Sequence, residues 1–217
     1  MQRMTTNYKE LVAENMEEAA FWNVHDALKN RTLDELRDIQ RGHTLPFAVC
    51  ALSVTGELNV GMMARTACIF GAQEFIIFGR RKYDKRSTVG AQNYMTVTRI
   101  DGFDEGVHFC PTKFYDAMHL HRLTPIFVEQ GGDTLDTIVQ TTGWKRYHAM
   151  YVQPGTAPCL VFGNEGDGIP EDLMLPGYAR ISIDQRGVLR SLNVSAAAAI
   201  LIHSLSNALS DPLFFAK

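Results

Sequence analysis

The stretch LVFGNEGDGIPEDLMLPGYARISIDQRGVLRSLNVSAAAAILIHSL, residues 160–205, decides how the rest of the chain is read. An apolar triplet, Leu160 to Phe162, runs into a loop carrying Gly163, Gly166 and Gly168. A second apolar run, Ile181 to Ile183, leads into the turn Gln185-Arg186-Gly187 and then into a helix whose interior is Ala196 to Ala199. Glycine lets a backbone approach a ligand closely, so two such loops at the ends of two strands make a cradle for a small molecule. Ser191 reads as the N-cap of the alanine helix. Asn193 then falls inside the first turn, where a ligand or a backbone contact explains it better than helix propensity does.

Upstream, the texture repeats strand, loop and helix. FAVCALSV, residues 47–54, is a continuous apolar run of strand length, the pattern of a strand buried on both faces of a parallel sheet. The loop TGELNVG follows, then a helix from Met62 to Phe70 stopped by Gly71, then a strand from Phe75 to Phe78, which together make a βαβ unit. Further along, the pattern predicts a strand over Val97 to Ile100, a capped helix over Thr112 to Arg122 and a strand over Pro125 to Glu129. After a Gly131-Gly132 turn it predicts a short helix over Leu135 to Gln140. This alternation implies an α/β domain with a mostly parallel sheet. Residues 5–41 read as helical, with an apolar stripe of Leu11, Ala19, Phe21, Trp22, Val24 and Leu28 and a capping box from Thr32 to Glu35 opening a second helix. Gly42 to Pro46 closes that extension off, which divides the chain into a helical part, 1–44, and an α/β part, 45–217.

Composition narrows the function class. With 46% hydrophobic and 21% charged residues in 217, the chain is globular rather than disordered or fibrous. Its apolar runs are too short to span a bilayer, and Met1 to Glu10 lacks the apolar centre of a signal peptide. The expected place is the cytoplasm, with an organelle as the alternative. Cys50, Cys68, Cys110 and Cys159 are scattered without a CxxC, and the His119-x-His121 pair points to different faces of a helix, so reduced thiols and no metal site are expected. The net charge of −3 means that a polyanionic partner must be met by a local patch. Arg80, Arg81, Lys82, Lys85 and Arg86 put five of the 21 basic residues into seven positions, which is either a solvated loop or a phosphate-binding lip.

In open α/β sheets, ligands gather beyond the carboxyl ends of the strands. Asn59 to Arg65 lies in such a place. Asn59 can cap the following helix and Gly61 can permit a tight entry, but Arg65 sits in a largely apolar helix and has to reach water, a carboxylate or a phosphate. Glu165, on the first glycine loop, is suited to orienting Arg65 or Asn59. Neither G-x-G-x-x-G after the first strand nor G-x-x-x-x-G-K-[ST] is present, which disfavours a dehydrogenase or an NTPase.

Taken together, NVGMMARTACIFGA (59–72), LVFGNEGDGIP (160–170) and ISIDQRGVLRSLNVSAAAAI (181–200) resemble the three motifs of the TrmH (SpoU) family of RNA ribose 2′-O-methyltransferases, in the SPOUT superfamily. The resemblance covers roughly residues 45–208. It implies a carboxyl-terminal trefoil knot, a homodimer and S-adenosylmethionine as methyl donor. By motif match, Asn59, Arg65, Glu165, Ser191 and Asn193 fall on the family's catalytic-site positions. Phe162, Gly163, Asn164, Gly166, Ile183, Gln185 and Leu192 fall around its cofactor. The wording QRGVLRSLNV leans toward members acting on a D-loop guanosine of transfer RNA, with ribosomal RNA as the alternative. Asp184 stands where many members have proline. Two other readings carry weight: a non-catalytic RNA-binding protein of the same fold, and a base-nitrogen methyltransferase using Asp167 or Asp184.

Overall fold

The computed structural model describes residues 23–79, 83–104 and 108–215. After a 3-10 turn at Asp26–Leu28, helix α1 (Leu33–Gly42) opens on the expected capping box: the Thr32 hydroxyl accepts from the Glu35 N–H, and the Glu35 carboxylate accepts from the Thr32 N–H. Strand β1 (Leu45–Leu52), helix α2 (Glu57–Ile69) and strand β2 (Ala72–Phe78) form the βαβ unit. Strand β3 (Thr96–Ile100), a small hairpin of β4 (Phe103–Asp104) and β5 (His108–Phe109), and helix α3 (Pro111–Leu120) follow. Strand β6 (Leu123–Thr134) runs into a helical turn, Leu135–Thr137, and a π turn, Ile138–Thr142. Helix α4 (Trp144–Tyr151), strand β7 (Ala157–Phe162), a 3-10 turn at Glu171–Leu173, strand β8 (Ala179–Ser182) and helix α5 (Val194–Leu209) complete the order.

Six strands pair in one sheet in the order β3-β2-β1-β7-β6-β8, and every pairing between neighbours is parallel. The two central strands, β1 and β7, are apolar and buried on both faces, because helices cover the sheet from both sides. Side chains alternate along β1. Val49 and Ala51 face α2, α4 and α5, packing with Val60, Met63, Leu160, Tyr147 and Leu201. Ala48, Cys50 and Leu52 face α3, packing with Phe114, Met118, Phe127 and Leu173. The chain leaves β1 on one side for β2 and β3 and returns on its other side through β6 and β7, so strand order reverses beside β1, and β6 and the carboxyl ends of β7 and β8 line one cleft.

Several boundaries differ from the sequence reading, each for a local reason. Helix α2 starts at Glu57 rather than Met62, so Asn59 is in its first turn instead of capping it, and Gly56 is the N-cap. Gly61 is buried inside that helix with Ser87 packed where a side chain would go. Helix α3 has no side-chain cap; Pro111 opens it, its missing N–H costing nothing at that position. The Gly131-Gly132 pair lies within β6 rather than in a turn. Helix α4 and the β4–β5 hairpin were not anticipated. Asn193, not Ser191, caps α5. Residues 1–22, with Leu11, Ala19, Phe21 and Trp22 of the expected stripe, and Arg80, Arg81 and Lys82 of the basic run lie outside the described residues.

The four thiols are free; Cys50, Cys68 and Cys159 are buried, and burial pushes the Cys68 thiol up to about 11 and raises those of Cys50 and Cys159 as well, so none of these three is a ready nucleophile. Among the described residues no helix is long and apolar enough to cross a membrane, and no group of three or more His, Cys, Asp or Glu is arranged to hold a metal ion.

Candidate active site

The cleft at the carboxyl edge of the sheet has a volume of about 790 Å³. Its floor is the middle of β6 (Val128, Glu129 and Gln130), one wall is the loop after β7 (Gly163 to Ile169), and the other is β8 and the segment that follows it to Val194. All seven residues expected around a cofactor, Phe162, Gly163, Asn164, Gly166, Ile183, Gln185 and Leu192, line it, as do Glu165, Ser191 and Asn193. Asp184 is exposed.

The wall after β7 is a tight reversal. Asn164 and Gly168 exchange both backbone hydrogen bonds at 3.0 Å, and the Asn164 side-chain oxygen accepts from the Gly166 N–H at 2.7 Å. The Asn164 amide donates across to the Ser53 carbonyl at 3.0 Å and the Thr55 hydroxyl at 2.6 Å, fastening the loop to the end of β1. Ser53 holds φ at 48°, an uncommon conformation for a residue other than glycine, and that places its carbonyl within reach of Asn164. Gly163 and Gly168 face one another so closely that a Cβ on Gly163 would lie 2.5 Å from the Gly168 carbonyl.

This reversal delivers Glu165 to the start of α2. Its carboxylate accepts from the Thr55 N–H at 2.7 Å, the Gly56 N–H at 3.3 Å and the Asn59 side-chain amide at 2.8 Å. An anion against the free N–H groups of a helix's first turn is the favourable sign for the helix dipole. Asn59 in turn accepts, through its side-chain oxygen, from the Asn193 amide at 3.2 Å. The Asn193 oxygen caps α5, accepting from the N–H groups of Ser195 and Ala196 at 2.9 and 3.3 Å and from the Ser195 hydroxyl at 2.6 Å. Glu165, Asn59 and Asn193 therefore join three separate segments into one hydrogen-bonded chain, with Asn59 more than a hundred residues from either of the others. Partial desolvation pushes the Glu165 carboxyl up, but the hydrogen bonds from Thr55, Asn59 and Gly56 together outweigh it and hold the group below its ordinary value of 4.5.

Arg65 is not brought to this cleft. Six residues of helix past Asn59 turn it by roughly 240° and carry it about 9 Å along the axis. It is exposed, and it lines a separate groove with Leu28, Leu36, Ile39, Ile69 and Tyr94. The side chains flanking it on that face, Leu58, Met62 and Ile69, are 61%, 51% and 66% exposed. Of the basic run, Lys85 is exposed, whereas the Arg86 guanidinium is doubly bonded to the Asp84 carboxylate, at 3.0 and 2.8 Å, which lowers the Asp84 pKa and offsets the charge Arg86 presents. The loop holding them is fastened to α2 by a bond from the Asp84 N–H to the Glu57 carbonyl at 3.3 Å.

Sequence reasoning missed Ser53, Thr55, Glu129, Gln130 and Arg180. The available signal was position: each stands at or just beyond a strand. For Glu129 and Gln130 it was stronger still, since two polar residues directly follow the apolar run Ile126-Phe127-Val128.

A wholly parallel six-stranded sheet with two loops closing a cleft at its carboxyl edge defines an α/β protein built around a small-molecule site. The chain matches the SpoU rRNA Methylase family over residues 46–203, and it belongs to that family. It is 26% identical over 161 residues to the tRNA (guanosine(18)-2'-O)-methyltransferase TARBP1 of Mus musculus, a match taking in 71% of this chain and 9% of that protein. The chain thus spans less than a tenth of that relative's length. Among solved structures it resembles the TrmH/SpoU tRNA modifying enzyme of A. aeolicus, with a TM-score of 0.63, 18% identity and 84% of each chain covered. It also resembles the SpoU methyltransferase AviRb from Streptomyces viridochromogenes in complex with AdoMet, with a TM-score of 0.56, 19% identity, and 75% of this chain and 58% of that one covered. At such identities these two likenesses concern the fold.

The lowered Glu165 pKa predicts a definite pH dependence. A carboxylate whose folded pKa is depressed contributes stability that is present above its unfolded value and lost as pH falls through the folded one. Thermal melts of the wild type and of Glu165→Gln are therefore expected to differ by a constant amount at neutral pH. The wild-type advantage should shrink only below pH 4.5. A gap that closes between pH 7 and 5 would contradict the assignment.

Proposed function

We propose that this chain is an S-adenosylmethionine-dependent RNA methyltransferase acting on a ribose 2′-hydroxyl. The observation that carries the reading is the chain of hydrogen bonds from Glu165 through Asn59 to Asn193, because it ties all three family motifs together at the mouth of one cleft. The cleft suits the donor: its volume of about 790 Å³ lies within the range of small-molecule sites, and its walls offer backbone N–H and C=O groups along with both carboxylates and guanidinium groups. Phe162, Gly163, Asn164, Gly166, Ile183, Gln185 and Leu192 would hold the donor. When bound, it supplies a methyl group activated by a sulfonium.

The chain's own residues do the rest. Asn59 and Asn193, fixed by one another, present amide groups that orient a ribose hydroxyl at the edge of the cleft, with Ser191 beside them. Such positioning is a large source of rate, since aligned reactants reach very high effective molarities. Glu165 keeps the first turn of α2 in place and acts through Asn59. Arg65 contributes positive charge rather than a base, because a guanidinium with a pKa above about 12 does not give up its proton at neutral pH.

Arg65 reaches a site through a homodimer in this reading. The exposed stripe of Leu58, Met62 and Ile69 around it favours burial against a second copy, and exposed apolar residues on the cleft wall, Val188, Leu189 and Leu192, offer the complementary surface. Arg65 of one protomer then serves the cleft of its partner. A trefoil knot formed by the segment after β7 is part of the same proposal, and it rests on the family match over residues 46–203. The division into 1–44 and 45–217 is supported by the start of the family match at residue 46. Transfer RNA is favoured over ribosomal RNA, and a D-loop guanosine within it, on the wording QRGVLRSLNV and on the name of the mouse relative. RNA is bound through the basic run Arg80, Arg81, Lys82, Lys85 and Arg86; for Lys85 and Arg86 the reading is supported by the attachment of Asp84 and Ser87 to the first turns of α2, which carry Asn59.

Incubating the protein with methyl-labelled donor and total RNA, then digesting to nucleosides, is expected to put label on ribose in transfer RNA. Label on a base, or no label with donor binding intact, would refute the assignment. Mixing inactive Arg65→Ala with inactive Asn193→Ala is expected to restore roughly a quarter of wild-type activity, because random pairing makes half the dimers mixed and each of those has one complete site. Activity that stays at background would place Arg65 outside the partner's site.

A further inference from the structure

The two walls of the cleft are separate segments, and they are fastened to two adjacent residues in the middle of β6, one wall to each. The Glu129 carboxylate accepts from the Ile169 N–H at 3.1 Å, at the far end of the wall that carries Glu165, and its other oxygen accepts from the Gln130 N–H at 2.9 Å. The Gln130 side-chain amide donates to the Arg190 carbonyl at 2.9 Å, in the opposite wall and next to Ser191. Gly168, with φ at +69°, is the residue that passes over Glu129, and a Cβ there would lie 2.5 Å from the carboxylate. The contact therefore requires glycine at 168 as well as an acceptor at 129. Both residues face the cleft, and both follow directly on Val128, where β6 is still paired with β7 and β8, so the sheet anchors the backbone just ahead of them.

We infer that Glu129 and Gln130 are positioning residues that set the separation of the two cleft walls and so control donor affinity. The inference rests on the donor-cleft reading above. Each residue makes one bond to one wall, and the chemistry differs: Glu129 must accept and Gln130 must donate. The wall after β7 is fastened to β1 at its near end through Asn164, and Gly168 is paired with Asn164, so removing Glu129 takes away the loop's tie to the floor at the Ile169 N–H while leaving the reversal itself intact. Removing the Gln130 bond frees the segment between β8 and the Asn193 cap, which is otherwise exposed along its length. Neither change opens the hydrophobic core.

The test is calorimetric titration of the full chain with S-adenosylhomocysteine, which occupies the donor site without reacting, alongside thermal melts. Glu129→Ala and Gln130→Ala are each expected to weaken binding roughly tenfold, the scale of one hydrogen bond to a charged or well-placed group. Glu129→Gln should recover most of the affinity, because an amide oxygen still accepts from Ile169. Glu129→Asp, one methylene too short, should not. Gln130→Glu, which sets a carboxylate against the Arg190 carbonyl, should bind at least as weakly as Gln130→Ala. Melting temperatures should move by no more than about 3 °C. If the alanine variants bind like the wild type, or if Glu129→Gln loses as much as Glu129→Ala, the inference is wrong while the donor-cleft reading stands. If the wild type itself shows no binding at millimolar ligand, the reading and the inference fall together.

Discussion

Everything at the functional edge of this protein depends on where the Glu165 carboxylate goes. It belongs to a loop after β7, yet its hydrogen bonds are made to Thr55, Gly56 and Asn59, which follow β1. Neighbouring parallel strands bring those two loops side by side: β1 and β7 pair from Ala48 with Cys159 to Ala51 with Phe162, and the register leaves their carboxyl ends level. The carboxylate then meets the N–H groups of Thr55 and Gly56 just ahead of α2, at the positive end of the helix dipole, an arrangement in which both partners gain. Asn59, once held by Glu165, has its oxygen turned to Asn193, and Asn193 begins α5. One ion, placed by sheet register, thereby aligns the starts of two helices.

That arrangement explains why polar residues cluster where they do. The interior of the sheet is almost wholly apolar; Glu74 is an exception, and it is matched by Thr98 and by His121 at 2.8 Å. Beyond the apolar runs of the strands polar side chains follow within a residue or two, as Ser53, Glu129, Asn164 and Asp184 show. The polar groups there satisfy one another, so the cleft is built before any ligand arrives. Preorganisation of this kind lowers the ordering cost of binding and keeps reacting groups within the small tolerance that methyl transfer requires.

Much of the fold was legible because the central strands and two of the helices obey simple periodicities. The run FAVCALSV, buried on both faces, could only sit in the middle of a covered sheet, and the capping box at Thr32 marked a helix start by chemistry that is local. The seven residues that the motifs pick out for a cofactor all line one cleft. What was not legible depended on distant partners. Ser191 and Asn193 are both good helix caps by type, and the choice of Asn193 is made with Asn59, a residue far away in sequence. Helix α2 begins at Glu57 although Gly56, Asn59 and Gly61 look like a loop, because the helix gains by burying Val60 and by packing Gly61 against Ser87. Starting that helix correctly is what separates Arg65 from Asn59: on one continuous helix the two side chains cannot both face the same cleft. The roles of Glu129 and Gln130 were hidden for the same reason, since their partners, Ile169 and Arg190, belong to other segments.

The central claim is that Asn59 and Asn193 work as a unit positioned by Glu165. Single-turnover methyl transfer by Asn59→Ala, Asn193→Ala and the double variant tests it most directly, with donor saturating throughout. The account predicts strong non-additivity, with the double variant hardly slower than the slower single one, because either substitution dismantles the shared arrangement. Losses that multiply, so that the double variant is slower by the product of the two single effects, would mean that the residues act independently and would contradict it.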